Sequence, residues 1–367
     1  METAGEKVNS LRFSRDYLYL AVGTSLGYRL YTFQPTTLVL KVAVTNGVKL
    51  IIPCSNGNII SYIENSSNTE CEPEKEARKE YLVIYNHLKN TQVAKLRFSK
   101  EVLDIRYMKS TLIIVQSYSV KIVKMDDYKN PTIIKTAENL YGAIGITFCA
   151  ETKTDESQLI ACPGSESDAD VFVIDIKDDT RYCFFPGYAT YQYVVTALEL
   201  NSQGTLLASA TTEGKNIDIF DVQDRSKLYS FSRGMFPKHI DYLSFQQNDQ
   251  ELIVSSLDGA VHLFYLLTDQ EIKEQQEGNT FFKAAFDFAF SKPSEVKFKI
   301  NREQTEVNFE DNKKCISCKL EKNLIMTVSN SGYLYLGSYK EENEEAIIEE
   351  AVDYLSKYPK HTQSYLD

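Results

Sequence analysis

The chain has 367 residues, 43% of them hydrophobic, enough to bury a core as two average domains or as one repeat architecture. A net charge of −11 and a pI near 5.1 argue against nucleic acid as a partner. They also argue against unspecific attraction to anionic lipid, so any membrane role must come from a local basic pocket.

No apolar run approaches the ~20 residues that span a bilayer. The opening METAGEKVNS lacks the apolar core of a signal peptide. Cys54, Cys71, Cys149, Cys162, Cys183, Cys315 and Cys318 are odd in number and scattered, which reads as reduced cytosolic thiols. The 24 Tyr and 19 Phe suit pleated, half-buried surfaces, so an all-β body is expected.

In chain order, residues 8–20 and 26–33 read as strands around Gly23 and Gly27. VLKVAV and VKLIIPC continue the pattern through residues 38–63, and the polar stretch 65–80 reads as a long loop. Strands resume in YLVIYNHL, VLDIRYM and TLIIVQSYSVKIV. Residues 143–148 and 171–176 frame a variable loop at 151–170. Two units then repeat one pattern, TALELNSQGTLLASATTEGKNIDIFDV at 196–222 and IDYLSFQQNDQELIVSSLDGAVHLFYL at 240–266. Each has apolar runs broken by turn signals: Asn201 to Gly204 and Glu213-Gly214 in the first, Gln247 to Asp249 and Asp258-Gly259 in the second. Residues 267–280 form a polar insertion, and 281–290 are rich in Phe. The last strands are expected at 296–300, 315–320, 324–328 and 333–339.

A repeat of about 40–45 residues built from such strands is the mark of a β-propeller blade. A seven-bladed propeller over residues 1–340 is expected, closed by pairing the N-terminal strand with the final ones so that no long sheet edge stays open. In the acidic tail, 341–367, Ile347, Ile348, Ala351, Val352 and Leu355 fall at helical spacing. A terminal amphipathic helix is expected there, packed on the rim or offered to a partner.

Between the two repeat units stands Phe231-Ser232-Arg233-Gly234. With ALELNSQGTLLA, IDIFD, Ser255 to Phe264 and the early VGTSLGYRLY, it makes the chain resemble the PROPPINs, the phosphoinositide-binding propellers of autophagy known in animals as WIPI proteins. The resemblance runs from about Val8 to Lys340. The family hallmark is Phe-Arg-Arg-Gly between the fifth and sixth blades, each arginine serving its own headgroup site. Multiply charged phosphates call for arginine forks, with His, Ser and Thr filling the remaining acceptors.

At the first site the resemblance places Ser209 and Thr211 on family hydroxyls, Lys215 on a threonine, Tyr191 on a histidine, Asp218 on an arginine and Ser232 on the first hallmark arginine. Both arginines and the histidine are gone, and one position is acidic, so this site is expected to be degenerate. At the second, Arg233 matches the other hallmark arginine, Ser255 and Ser256 the serines, and His262 the histidine, while Ala260 has lost a hydroxyl. The family's basic residues after the hallmark fall near Pro237, Lys238 and His239. This second set, Arg233, Ser255, Ser256, His262 and Lys238, is the favoured phosphoinositide site. The plain alternatives are a structural ion pair for Arg233 and a satisfied strand histidine for His262.

The family's membrane-inserting loop corresponds to residues 267–285. Residues 268–285 carry four acids (Asp269, Glu271, Glu274, Glu277) against Lys273 and Lys283, and Phe281 and Phe282 are expected to begin a strand, with insertion as the alternative. Cys315-Ile-Ser-Cys318 lacks a second ligand pair, and no nucleophile elbow, P-loop or HExxH occurs. No metal, cofactor or enzymatic activity is expected. The resemblance implies an adaptor that reads phosphatidylinositol 3-phosphate or the 3,5-bisphosphate and recruits autophagy proteins, peripheral to phagophore, endosomal or vacuolar membranes. The alternative is a divergent propeller that scaffolds proteins with little lipid binding.

Overall fold

The computed structural model describes residues 6–33, 36–65, 80–147, 158–164, 171–184, 193–246, 249–257, 259–266, 295–299, 314–320, 324–338 and 347–355. Tyr191, the loop 267–285 and the Phe-rich run 281–290 lie outside the described residues.

Seven four-stranded antiparallel sheets make seven blades, each built from consecutive strands. Blade one is β1 (Val8–Phe13), β2 (Tyr19–Thr24), β3 (Gly27–Phe33) and β4 (Thr36–Ala43); blade two is β5 (Val48–Pro53), β6 (Ile59–Glu64), β7 (Glu80–Asn86) and β8 (Thr91–Phe98). Blade three is β9 (Asp104–Met108), β10 (Thr111–Gln116), β11 (Ser119–Lys124) and β12 (Asp127–Lys135); blade four is β13 (Gly145–Ile146), β14 (Leu159–Pro163), β15 (Val171–Asp175) and β16 (Arg181–Phe184). Blade five is β17 (Val195–Leu200), β18 (Leu206–Thr211), β19 (Asn216–Asp221) and β20 (Lys227–Ser232); blade six is β21 (Ile240–Phe245), β22 (Glu251–Ser256), β23 (Ala260–Tyr265) and β24 (Glu295–Lys299). Blade seven is β25 (Cys315–Leu320), β26 (Leu324–Ser329), β27 (Tyr333–Ser338) and β28 (Ile347–Asp353).

The first strand of each blade lies at the axis. There β1 packs on β5, β5 on β9, β13 on β17, β17 on β21 and β21 on β25. Burial follows from that position: β17 is buried throughout, whereas β20 is mostly exposed. Each sheet is apolar on both faces because it is covered on both by its neighbours. On blade five, Ala208, Ala210, Ile217, Ile219 and Phe231 face blade six, while Leu207 and Phe220 face blade four.

Charges that point to the axis are paired across it. Asp104 accepts from both Arg12 and Arg106. Burial pushes its carboxyl up, but Arg106 and Arg12 outweigh this and bring it down to about 2. Arg15 pairs with Glu199 and donates to the Ile146 carbonyl at 2.9 Å, joining blades one, four and five.

Two expectations are corrected. The tail segment Ile347–Asp353 is a strand, not a helix, and pairs antiparallel with β27 from Ser338↔Ile347 to Tyr333↔Asp353. Helical spacing of a few apolar residues is a weak signal beside an open sheet edge, whose unpaired N–H and C=O groups a strand satisfies. A bulge between Leu336 and Gly337 shifts the register within this pairing, so a strict alternation was not there to read.

The ring also closes without exchanging strands. Among the described residues β1 pairs only with β2, and β25 packs against β1 by side chains. Val8, Leu11, Phe13 and Leu20 meet Ile316, Cys318, Met326, Val328 and Tyr354 in one core cluster. Tyr31 donates to the Tyr354 carbonyl at 2.8 Å and Arg29 to the Leu355 carbonyl at 2.8 Å. Because β28 fills the fourth place of blade seven, no slot is left there for β1.

Candidate functional site

The junction of blades five and six is built around Arg233. β20 ends at Ser232, and the chain must return from the rim to begin β21 at Ile240. Arg233 holds the start of that return. Its backbone N–H donates to the Lys215 carbonyl at 2.7 Å, its Nε to the Gly214 carbonyl at 2.8 Å, and its Nη2 to the Phe236 carbonyl at 2.6 Å. The side chain that carries these bonds is buried.

Gly214 makes this possible. Its φ of +59° is in the left-handed region, and a Cβ there would sit 1.6 Å from the Lys238 carbonyl oxygen. The β18–β19 turn and the link to blade six therefore interlock backbone to backbone. Met235, Phe236 and Lys238 are left exposed.

Strand alternation sorts the candidate residues onto different interfaces. Ser209 and Asp218 are cross-strand partners in the same phase as Leu207 and Phe220, on the face toward blade four. Thr211 continues that phase. Ser209, Thr211 and Asp218 are buried and Ser232 is exposed. Asp218 accepts from Ser230 Oγ at 2.7 Å and from Lys227 Nζ at 2.9 Å, and Lys215 lies 3.3 Å from Glu213. The first set thus comes together as two buried hydroxyls beside a carboxylate, with its nearby lysines on acidic partners. Neither Lys227 nor Ser230 was singled out from sequence. The signal available was the period-two phase, which puts Ser230 opposite Asp218.

In the second set, His262 and Phe264 share a face with Val254, toward blade five. The His262 ring stacks on Phe264 at 5.9 Å, Phe264 on Phe231 at 4.7 Å, and Phe231 on Tyr229 at 5.5 Å. Ser256 is in the same phase, its Oγ donating to the Ala260 carbonyl at 3.3 Å. Ser255 points the other way. Its Oγ lies 3.1 Å from Ser317 Oγ, which is itself 2.9 Å from Thr327 Oγ1, a buried chain between blades six and seven. The structure therefore places Arg233, His262, Ser256 and Lys238 about the five–six junction and Ser255 on the far face of blade six.

Sequence reading named His239 but missed its titratable partner, Asp241. His239 Nε2 lies 3.3 Å from Asp241 Oδ1, and Tyr141 packs on the His239 ring at 5.1 Å. Burial raises the Asp241 carboxyl to about 7, with Lys314 opposing only in part. Burial, with Lys314, pushes the His239 imidazole down. Near neutral pH the contact is thus not a full ion pair.

Comparison with known proteins agrees with this architecture. The family model described as PROPPIN matches residues 7–348. A Xenopus laevis protein named WD repeat domain phosphoinositide-interacting protein 1 is 25% identical over 92% of this chain and 77% of its own length. Autophagy-related protein 18 of Emericella nidulans is 27% identical over 74% of this chain and 64% of its own length. Among solved structures, Kluyveromyces lactis Hsv2 superposes with a TM-score of 0.72 at 15% identity, over 95% of this chain and all of that one. A KlAtg21 chain, solved in complex with the coiled coil of AgAtg16, superposes with a TM-score of 0.70 at 16% identity, over 95% of this chain and 99% of that one.

Proposed function

The chain belongs to the PROPPIN family of non-enzymatic propellers, and from that premise we propose that it is a peripheral membrane adaptor of autophagy that binds phosphoinositides through the junction of blades five and six. The observation that carries this reading is the loop from Ser232 to His239. It holds Arg233 and Lys238 and no acidic residue, in a chain of net charge −11. A local basic element is what such a chain needs to meet an anionic headgroup.

The ligand is a 3-phosphorylated phosphoinositide, the 3-phosphate or the 3,5-bisphosphate. Arg233 and Lys238 supply charge, and Ser256 and His262 lie buried on the face of blade six toward blade five. Ser255 belongs to the original set by resemblance, but its hydroxyl chain to Ser317 and Thr327 speaks for a packing role. Binding runs through this one site. Ser209 and Thr211 share the four–five face with Asp218, whose carboxylate disfavours a phosphate, while Lys215 is turned to Glu213 and Ser232 is exposed. Autophagy proteins recruited by the bound propeller are the second half of the function.

Flotation on liposomes with and without phosphatidylinositol 3-phosphate tests the reading. Wild type floats only with the lipid, and Lys238→Glu loses on the order of tenfold or more in affinity, since one charge-assisted hydrogen bond is worth roughly 1.5–3 kcal/mol. Ser209→Ala and Thr211→Ala float as wild type. The second reading, a protein scaffold without lipid affinity, is favoured by the Asp218–Lys227 pair in the first site. It takes over if wild type fails to float on either phosphoinositide.

A further inference from the structure

Met235 and Phe236 are 84% and 72% exposed. Exposed large apolar side chains such as Val39, Val93, Ile133 and Leu228 stand singly on outer strands, while Leu140 and Tyr141 form another adjacent exposed pair, whose Tyr141 packs on His239 at the end of this same loop. Met235 and Phe236 adjoin, and the backbone beneath them is held firmly. Arg233 ties the loop to Gly214 and Lys215 and pins the Phe236 carbonyl at 2.6 Å. Pro237 fixes its own φ and restricts Phe236 to extended backbone. A braced loop that leaves Met and Phe in water presents them to something.

We propose that Met235 and Phe236 are a wedge that inserts into the interfacial region of an anionic phospholipid bilayer, with Arg233 acting as its positioning residue. This rests on the lipid reading above and deepens it. Composition favours a bilayer: the pair is flanked by Arg233 and Lys238 without an acid between Ser232 and His239, and Tyr141, an amphipathic ring 45% exposed, packs on His239. Exposed apolar side chains beside an exposed lysine, Lys238, with Tyr at the edge, are the chemistry of interfacial anchors. Size also decides. A stable protein interface buries about 1,200 Å² or more, beyond the reach of two side chains, whereas a membrane anchor needs only a few to add to a headgroup contact.

The chain has no tryptophan, so Phe236→Trp reports from this position alone. On vesicles of phosphatidylcholine and phosphatidylserine carrying phosphatidylinositol 3-phosphate, its emission should shift to the blue and be quenched by acyl-brominated lipid. Phe236→Asp and Met235→Asp should weaken flotation on the order of tenfold, while binding of the soluble headgroup, inositol 1,3-bisphosphate, stays as in wild type. If the Trp variant floats with unshifted emission, the wedge is wrong and the lipid reading survives. If Phe236→Asp weakens soluble headgroup binding equally, the loop serves the headgroup and the wedge is wrong. A blue shift that grows with protein concentration without lipid gives the pair to a second copy of the chain. If wild type does not float, the lipid reading and the wedge fall together.

Discussion

Arg233 donates from Nη2 to the carbonyl oxygen of Phe236, three residues ahead in the same loop, at 2.6 Å. The hallmark arginine is therefore a brace as well as a charge. Its Nε holds Gly214, so one side chain joins the β18–β19 turn to the link between blades. Removing a donor from a carbonyl away from water costs about 1–3 kcal/mol. Arg233→Ala should lower the urea midpoint accordingly, and Arg233→Lys should recover only part, because an ammonium cannot reproduce the planar fork. An unchanged midpoint in Arg233→Ala would show that the brace carries no stability.

The tail is part of blade seven. Ending the chain at residue 346 removes β28 together with Tyr354 and Leu355, which accept from Tyr31 and Arg29 of blade one. It bares the edge of β27 and strips the closing cluster of Tyr354. The truncated protein should melt well below the full chain and associate through the open edge. Equal melting temperatures with a monomeric sedimentation profile would contradict this.

Asp218 is held by Lys227 and Ser230. Asp218→Arg, the change that the family pattern suggests for rebuilding the first site, sets a buried cation against Lys227. It should cost about 1–3 kcal/mol, discounted because Lys227 is half exposed and can turn to water. Ser232→Arg is at an exposed position and should stay within about 0.5 kcal/mol of wild type. Chemical denaturation of the two single variants tests the difference, and equal stability would refute it.

Asp241 gives a pH signature. Its ordinary carboxyl value is 3.8, and burial raises it to about 7 in the folded protein. Between these values the folded chain keeps a proton that the unfolded chain has released. Asp241 therefore lowers stability as pH rises through this window, with the full cost present above pH 7. His239, lowered by burial, has the opposite slope as pH rises toward its ordinary value of 6.5. Asp241 Oδ2 has no hydrogen-bond partner among the described residues. Asp241→Asn should therefore stabilise the protein at pH 8 by about 1–3 kcal/mol and change little at pH 4. A difference from wild type that is constant across the range would rule this out.

Much of the architecture was legible in the order of residues. The two repeat units, their turns at Asn201–Gly204 and Glu213–Gly214, and the place of Phe231–Gly234 between those units are local facts of apolar period and turn chemistry, and the strands formed where those signals stood; that the two units are blades five and six was implied by the family resemblance. Ser255 and Ser256, grouped in one site by the resemblance, stand on opposite faces of β22. Tertiary structure alone decided that Ile347–Asp353 is a strand, because an unpaired edge of β27 offers more than a weak helical stripe. It alone decided that the ring closes by side chains between β25 and β1, and that Arg233 grips the carbonyls of Gly214 and Phe236. Backbone period and turns are written within a few residues. A hydrogen-bond partner or a free sheet edge comes from chain far away in sequence, and exists only once the blades stand side by side.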